Sequence, residues 1–169
     1  MWIRWSDDAS GSGSVVPRGC DNERSPEDLA YGQAVLTEDR VVDSVRRSLV
    51  DAGWTIDQRA GLTDHGHDIV ATKDKRRLII EAKGAGSAKP GSARFGKAFD
   101  SGQVFDHVAK AILKALRAVD DGDFGAVALP ADKYHRREIA AVRVSLNQVG
   151  IGVFWVDDAE VVELDAPWL

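Results

Sequence analysis

The chain has 169 residues, 44% of them hydrophobic, with 22 Lys and Arg against 27 Asp and Glu for a formal charge of −5, and one cysteine. That length buries one core and leaves little room for a second domain. The acidic balance excludes tight, unaided binding to duplex DNA at physiological salt, and a lone Cys20 argues against a disulfide framework.

Ser10 to Ser14 alternates Ser and Gly, and Cys20 to Asp28 is charged without apolar period. Residues 1–30 therefore read as a flexible N-terminal tail, and residues 31–169 as a single domain. The opening Met1-Trp2-Ile3-Arg4-Trp5 is too short for a signal peptide, and no later run approaches ~20 apolar residues. A cytoplasmic protein without a membrane partner is expected.

Thr37 can cap a helix over 38–52 whose apolar stripe is Val41, Val42, Val45 and Leu49, with Gly53 ending it. Trp54 to Arg59 reads as a first strand, followed by a loop over Ala60 to Asp64. Gly66 to Thr72 and Arg77 to Ala82 are apolar and rich in β-branched residues, so both read as strands. Lys73-Asp74-Lys75-Arg76 is too short and too polar for anything but a hairpin turn. With Asp74 and Lys75 at its tip, Asp68 lies opposite Glu81. A register shift of two would put Asp68 opposite Lys83 instead. Side chains alternate faces along a strand, so Glu81 and Lys83 project to one side and Ala82 to the other.

The segment 84–97 is rich in Gly and Ser and carries three basic residues, Lys89, Arg94 and Lys97, with no acid. It suits a loop that closes on phosphates, or an ordinary solvated loop. Asp100 or Ser101 caps a second helix reaching about Val119, with Phe105, Val108, Ile112, Leu116 and Val119 as its expected buried stripe. Gln103, His107, Lys110 and Lys114 form a separate polar stripe. Lys110 and Lys114 are candidate phosphate contacts against the default of a solvated face.

Phe124 to Leu129 reads as a strand. A third helix follows Pro130-Ala131-Asp132, with Ile139, Val142, Leu146 and Val149 facing the core. Tyr134, His135, Arg136 and Arg137 at its start suggest a surface basic patch. Ile151 to Val156 fits a buried strand, and Val161 to Leu164 a short edge strand. Strands alternating with helices indicate an α/β fold with helices on both faces of the sheet.

Asp68, Glu81 and Lys83 carry the sharpest chemistry. Two carboxylates directly opposed on a hairpin lie ~5 Å apart at Cβ and repel, unless a divalent cation sits between them. Hard Mg²⁺, or Mn²⁺ in its place, is held by one or two carboxylates with phosphate oxygens and water. Such an ion polarises a phosphoryl group and lowers the pKa of bound water. Lys83 would orient or help deprotonate that water, or neutralise charge developing on phosphorus. The bland alternative is a cross-strand salt bridge. It is weakened because Ile79 and Ile80 place Glu81 at the end of a strand buried on both faces, where unpaired charge is costly. A zinc site on His65, His67 and Asp68 falls short of the usual four ligands.

Gly66-His67-Asp68-Ile69-Val70-Ala71 followed by Ile79-Ile80-Glu81-Ala82-Lys83-Gly84 resembles the signature of the PD-(D/E)xK nuclease superfamily, the restriction-endonuclease-like fold. The one visible departure is His67, where the family often has proline. The resemblance implies an αβββαβ core with a mixed central sheet flanked by helices, over roughly residues 37–165. It further implies Mg²⁺- or Mn²⁺-dependent hydrolysis of phosphodiester bonds, in DNA more often than RNA. Asp68, Glu81 and Lys83 match the signature acid, second acid and lysine. The family often adds an acid from the first helix and a glutamine from the second, here Glu38 and Gln103. The implied catalytic set is Asp68, Glu81, Lys83, Gln103 and Glu38, with Asp68, Glu81 and Glu38 on the metal. Lys89, Arg94, Lys97 and Lys110 would contact nucleic acid. Given the net charge, a homo-oligomer or a recruiting protein partner is expected to help. The alternative is a catalytically inactive nucleic-acid-binding or protein-interaction module on the same fold.

Overall fold

The computed structural model describes residues 35–57, 66–87, 91 and 95–168. The expected tail, Cys20, the far end of the first strand, His65, Lys89 and Arg94 lie outside those residues. The described residues belong to one compact unit, Val35–Leu169.

The elements run α1 (Glu38–Asp51), β1 (Thr55–Ile56), β2 (Ile69–Lys73), β3 (Arg76–Ala82), α2 (Ser101–Asp120), β4 (Phe124–Pro130), α3 (Lys133–Gln148), β5 (Gly152–Val156) and β6 (Val162–Asp165). Six strands form one mixed sheet in the order β1-β2-β3-β4-β5-β6. The pairs β1–β2, β2–β3 and β5–β6 are antiparallel; β3–β4 and β4–β5 are parallel. The parallel pairs need crossovers, and α2 and α3 supply them. The fold is α/β, as the sequence pattern indicates.

Strand alternation divides the core into two layers. Ile69, Ala71, Leu78, Ile80, Ala82, Ala126, Ala128, Phe154 and Val156 face α1 through Val41, Val45 and Leu49. On the opposite face Val127, Leu129, Val153 and Trp155 meet Val104, Val108, Ala111 and Ala115 of α2 and Ile139 and Leu146 of α3. Burying each large aliphatic side chain contributes about 1.5–3 kcal/mol before entropy is counted. Leu78 to Ala82 are all buried, as expected for a central strand.

Local chemistry sets the boundaries. Thr37 accepts from the amide of Arg40 and caps α1, while Gly53, at φ 80°, follows its end. No basic residue lies in the last turn of α1, and Lys73 from β2 donates to the Ala52 carbonyl instead. Asp74 and Lys75 both have positive φ, the backbone of a tight two-residue hairpin turn. The observed pairing of Ile69 with Ile80 and Val70 with Ile79 is the expected register.

Three expectations about helix faces need correction. The buried face of α2 is Val104, Val108, Ala111, Ala115 and Ala118, whereas Phe105 is 58% exposed and Ile112, Leu116 and Val119 are half-buried. Small residues prevail because the helix lies close on β4: a Cβ at Gly125 would come within 2.3 Å of the Ala115 carbonyl oxygen. On α3, Val142 and Val149 are exposed, and the buried residues are His135, Ile139 and Leu146. His135 is thus no part of a surface patch. Its Nδ1 lies 2.8 Å from Oδ2 of Asp132, the residue that caps the helix. Separately, the stem of the basic loop is paired: Gly86 bridges Ala98, Ser87 bridges Phe95, and Phe99 N donates to Ala85 O.

Candidate functional site

The β2–β3 hairpin and its register bring the acids together. β2 begins at Ile69, so Asp68 sits just outside the ladder and its side chain stands in for the missing strand pairing. Asp68 Oδ2 accepts from the amide of Ala82 at 2.7 Å. Across from it Glu81, 3% exposed, points to the α2 side of the sheet together with Ile79. Lys83 leaves the end of the same strand, its amide donating to the carbonyl of Ala128 on β4.

The ammonium of Lys83 is the hub. Nζ lies 2.8 Å from Glu81 Oε1, 3.4 Å from Glu38 Oε2 and 3.8 Å from Asp68 Oδ2, and it also donates to the carbonyl of Ala82. Glu38 reaches this place because the chain leaving β3 passes against the start of α1. A Cβ at Gly84 would be 2.5 Å from Glu38 N and 2.8 Å from Thr37 C, and Ala85 N donates to Leu36 O at 2.7 Å. Only a residue without a side chain permits that approach. Further along α1, Arg46 donates to the Asp68 carbonyl at 3.1 Å and pins the turn before β2.

A second lysine enters from α2. Lys114 Nζ lies 2.7 Å from Glu81 Oε1, the oxygen that Lys83 already occupies. Glu81 Oε2 is buried and makes no hydrogen bond among the described residues. The close seat of α2 on β4 at Gly125 puts Lys114 within this reach.

Burial raises the carboxyl of Asp68 above its ordinary value, and the charges of Glu81 and Glu38 add to this against the Ala82 hydrogen bond and Lys83. For Lys83 burial opposes the charge. The hydrogen bond to Glu81 and the charges of Glu38, Glu81 and Asp68 outweigh it and hold the ammonium protonated. A lysine so held is a donor and a charge, not a base, in this state. Orienting water or neutralising a phosphoryl group therefore suits it better than deprotonation.

Among the described residues no three His, Cys, Asp or Glu side chains are gathered in metal-holding geometry. The place where Glu38, Asp68 and Glu81 converge is filled by Lys83. Their chemistry nonetheless fits Mg²⁺ or Mn²⁺: all three offer hard oxygens, and Glu81 Oε2 is a buried acceptor with no protein donor.

Glu38, Asp68, Glu81 and Lys83 are thus brought together. Gln103 is not. Its Oε1 accepts from Asp100 N at 3.2 Å while its backbone N–H donates to Asp100 Oδ1, a capping box at the start of α2. Lys97 and Lys110 are exposed, without a contact to the cluster. His107, between Gln103 and Lys110 on the polar stripe, packs edge-on against Phe99 with ring centroids 4.5 Å apart. Lys114 and Arg46 are the members that the motif does not disclose. For Lys114 a signal existed, since it continues the stripe Gln103-His107-Lys110 beside the buried face. For Arg46 none stands out.

The chain matches no protein-family model, no curated protein and no solved structure.

Proposed function

We propose that this domain is a divalent-metal-dependent nuclease that hydrolyses phosphodiester bonds, with DNA as its substrate, on a restriction-endonuclease-like core. The observation that carries the reading is the convergence of Glu38, Asp68 and Glu81 on the Lys83 ammonium at the end of two adjacent central strands. The order of the first elements, α1-β1-β2-β3-α2-β4, supports the core assignment.

In this reading Asp68 and Glu81 hold Mg²⁺ or Mn²⁺, with Glu38 as a third ligand. The ion would supply Lewis-acid polarisation of the phosphodiester. Lys83, protonated and already hydrogen-bonded in the cluster, orients the attacking water and neutralises charge developing on the phosphoryl oxygens. The buried flanks of β3 keep competing water from Glu81. Lys97 and Lys110, with Lys89 and Arg94, serve as contacts to the nucleic-acid backbone, and a second copy or a recruiting protein compensates for the acidic net charge.

One observation favours the second reading, a catalytically inactive binding module. Two lysines on Glu81 pair that buried carboxylate without any metal. Cleavage of plasmid, single-stranded DNA and RNA with Mg²⁺ or Mn²⁺ separates the two. The nuclease reading expects cutting that EDTA and Asp68→Asn both abolish. Equal cutting by wild type and Asp68→Asn would sink it, and no cutting of any substrate would leave the module.

A further inference from the structure

Glu81 has one oxygen with two ammonium partners and another with none. Lys83 at 2.8 Å and Lys114 at 2.7 Å share Oε1, while Oε2 is buried without a hydrogen bond among the described residues. Lys83 is shared among Glu81, Glu38 and Asp68, whereas Lys114 meets only Glu81 of the three. The two lysines also differ in setting. The Lys83 side chain is 14% exposed and bonded on several sides, whereas that of Lys114 is 44% exposed and has Glu81 as its acid partner. A long side chain with its stem on a helix and its head at the site rim can swing without disturbing the core.

From this we infer that Lys114 is an exchangeable counter-ion of Glu81. It covers the carboxylate when the site is empty, and it is released to a phosphate of the nucleic-acid backbone when Glu81 takes a divalent cation. The inference rests on the nuclease reading. Its consequence is a coupling between cation and substrate: Lys114 competes with the cation for Glu81, yet becomes a phosphate contact only once the cation has displaced it. Lys110, four residues earlier on α2 and exposed, has no acid partner in the cluster and contributes to backbone binding with or without the cation.

Three measurements on the full chain test it, using Lys114→Met, which leaves Lys83 on Glu81. Mn²⁺ binding without nucleic acid should tighten about three- to tenfold, because a competing positive charge is gone. Affinity for a short DNA duplex in EDTA should match wild type. In Ca²⁺ the variant should bind the duplex more weakly, and the slope of log affinity against log salt should be shallower by about one. Equal losses of duplex affinity in EDTA and in Ca²⁺ would make Lys114 a standing surface contact and overturn the inference. Weaker or unchanged Mn²⁺ binding would overturn it as well, since Lys114 would then position Glu81 rather than compete for it. Wild type that fails to bind Mn²⁺ removes the nuclease reading and this inference together. Wild type that binds Mn²⁺ and cuts, beside a Lys114→Met variant that behaves identically in all three measurements, removes the inference alone.

Discussion

Gly84 and Glu38 are in backbone contact: a Cβ on Gly84 would stand 2.5 Å from the amide nitrogen of Glu38, at the first residue of α1. This approach lets an acid from the start of α1 meet a lysine at the end of β3, with Glu38 Oε2 3.4 Å from Lys83 Nζ. Gly84→Ala must therefore push α1 and the exit of β3 apart. The expected cost is about 1–3 kcal/mol of stability, as for other overpacked contacts. Divalent-ion affinity should fall with it. Urea unfolding and Mn²⁺ titration check both, and a variant as stable as wild type would show that the approach relaxes freely.

In the nuclease reading Asp68 sets stability against chemistry. Burial raises its folded-state pKa above the ordinary 3.8, so the folded protein prefers the neutral side chain. The sign follows: its contribution is fully present below pH 3.8 and is lost as pH rises through the raised value, leaving the ionised carboxylate a net cost at neutral pH. Asn is neutral at every pH, and its amide oxygen can still accept from Ala82 N. Asp68→Asn should raise the thermal midpoint at pH 7 while reducing cleavage to background. A lower midpoint would mean that the charge of Lys83 matters more to Asp68 than its burial does.

Much of the fold was legible because it rests on local chemistry. The turn at Asp74-Lys75 and the register that follows, with Ile69 opposite Ile80, came from counting along a short polar link. Residue type marks Thr37 as a cap, and Asp100 or Ser101 as the next, of which Asp100 is the cap observed. In the site, Asp68, Glu81 and Lys83 are close in sequence and were legible for that reason, while Glu38 needed the resemblance to a family. Lys114 reaches Glu81 only because α2 sits low on β4 at Gly125, a distance no periodicity reveals. The same close packing misled the choice of α2's inner face. Helical spacing of large apolar residues points to Phe105, but a helix near the sheet buries alanines.

Paired substitutions test that face. Ala115→Leu inserts volume where α2 lies closest to the sheet and should cost about 1–3 kcal/mol. It should also move Lys114 off Glu81, so Mn²⁺ affinity changes with stability. Phe105→Ser removes a larger apolar side chain, but an exposed one, and should stay within about 0.5 kcal/mol of wild type. The opposite ranking in chemical denaturation would restore Phe105 to the core.

Acid sensitivity should come in two steps with separate owners. Burial lowers the pKa of His107 below 6.5, and the charges of Lys83, Lys110 and His135 lower it further against Asp106. Burial opposes the charge of Asp132, but hydrogen bonds from the His135 ring and from the amides of His135 and Tyr134 outweigh it and hold its pKa below 3.8. Both groups have depressed folded-state values, so each contributes stability that is present above its unfolded value and lost as pH falls through its folded one. The His107 loss begins as pH drops below 6.5, and the Asp132 loss below 3.8. Asp68, shifted the other way, returns some stability on the descent from its raised value toward 3.8. Stability measured by urea from pH 8 to 3 should therefore sag first from His107. Leucine at that position removes a ring nitrogen, Nδ1, that is buried without a partner, and His107→Leu should flatten the curve between pH 7 and 5. Asp132→Asn can keep the cap of α3 but loses the charge facing His135, so it should leave the upper step intact and flatten only the lower one. Curves for both variants that run parallel to wild type across the whole range would mean that neither group controls acid unfolding.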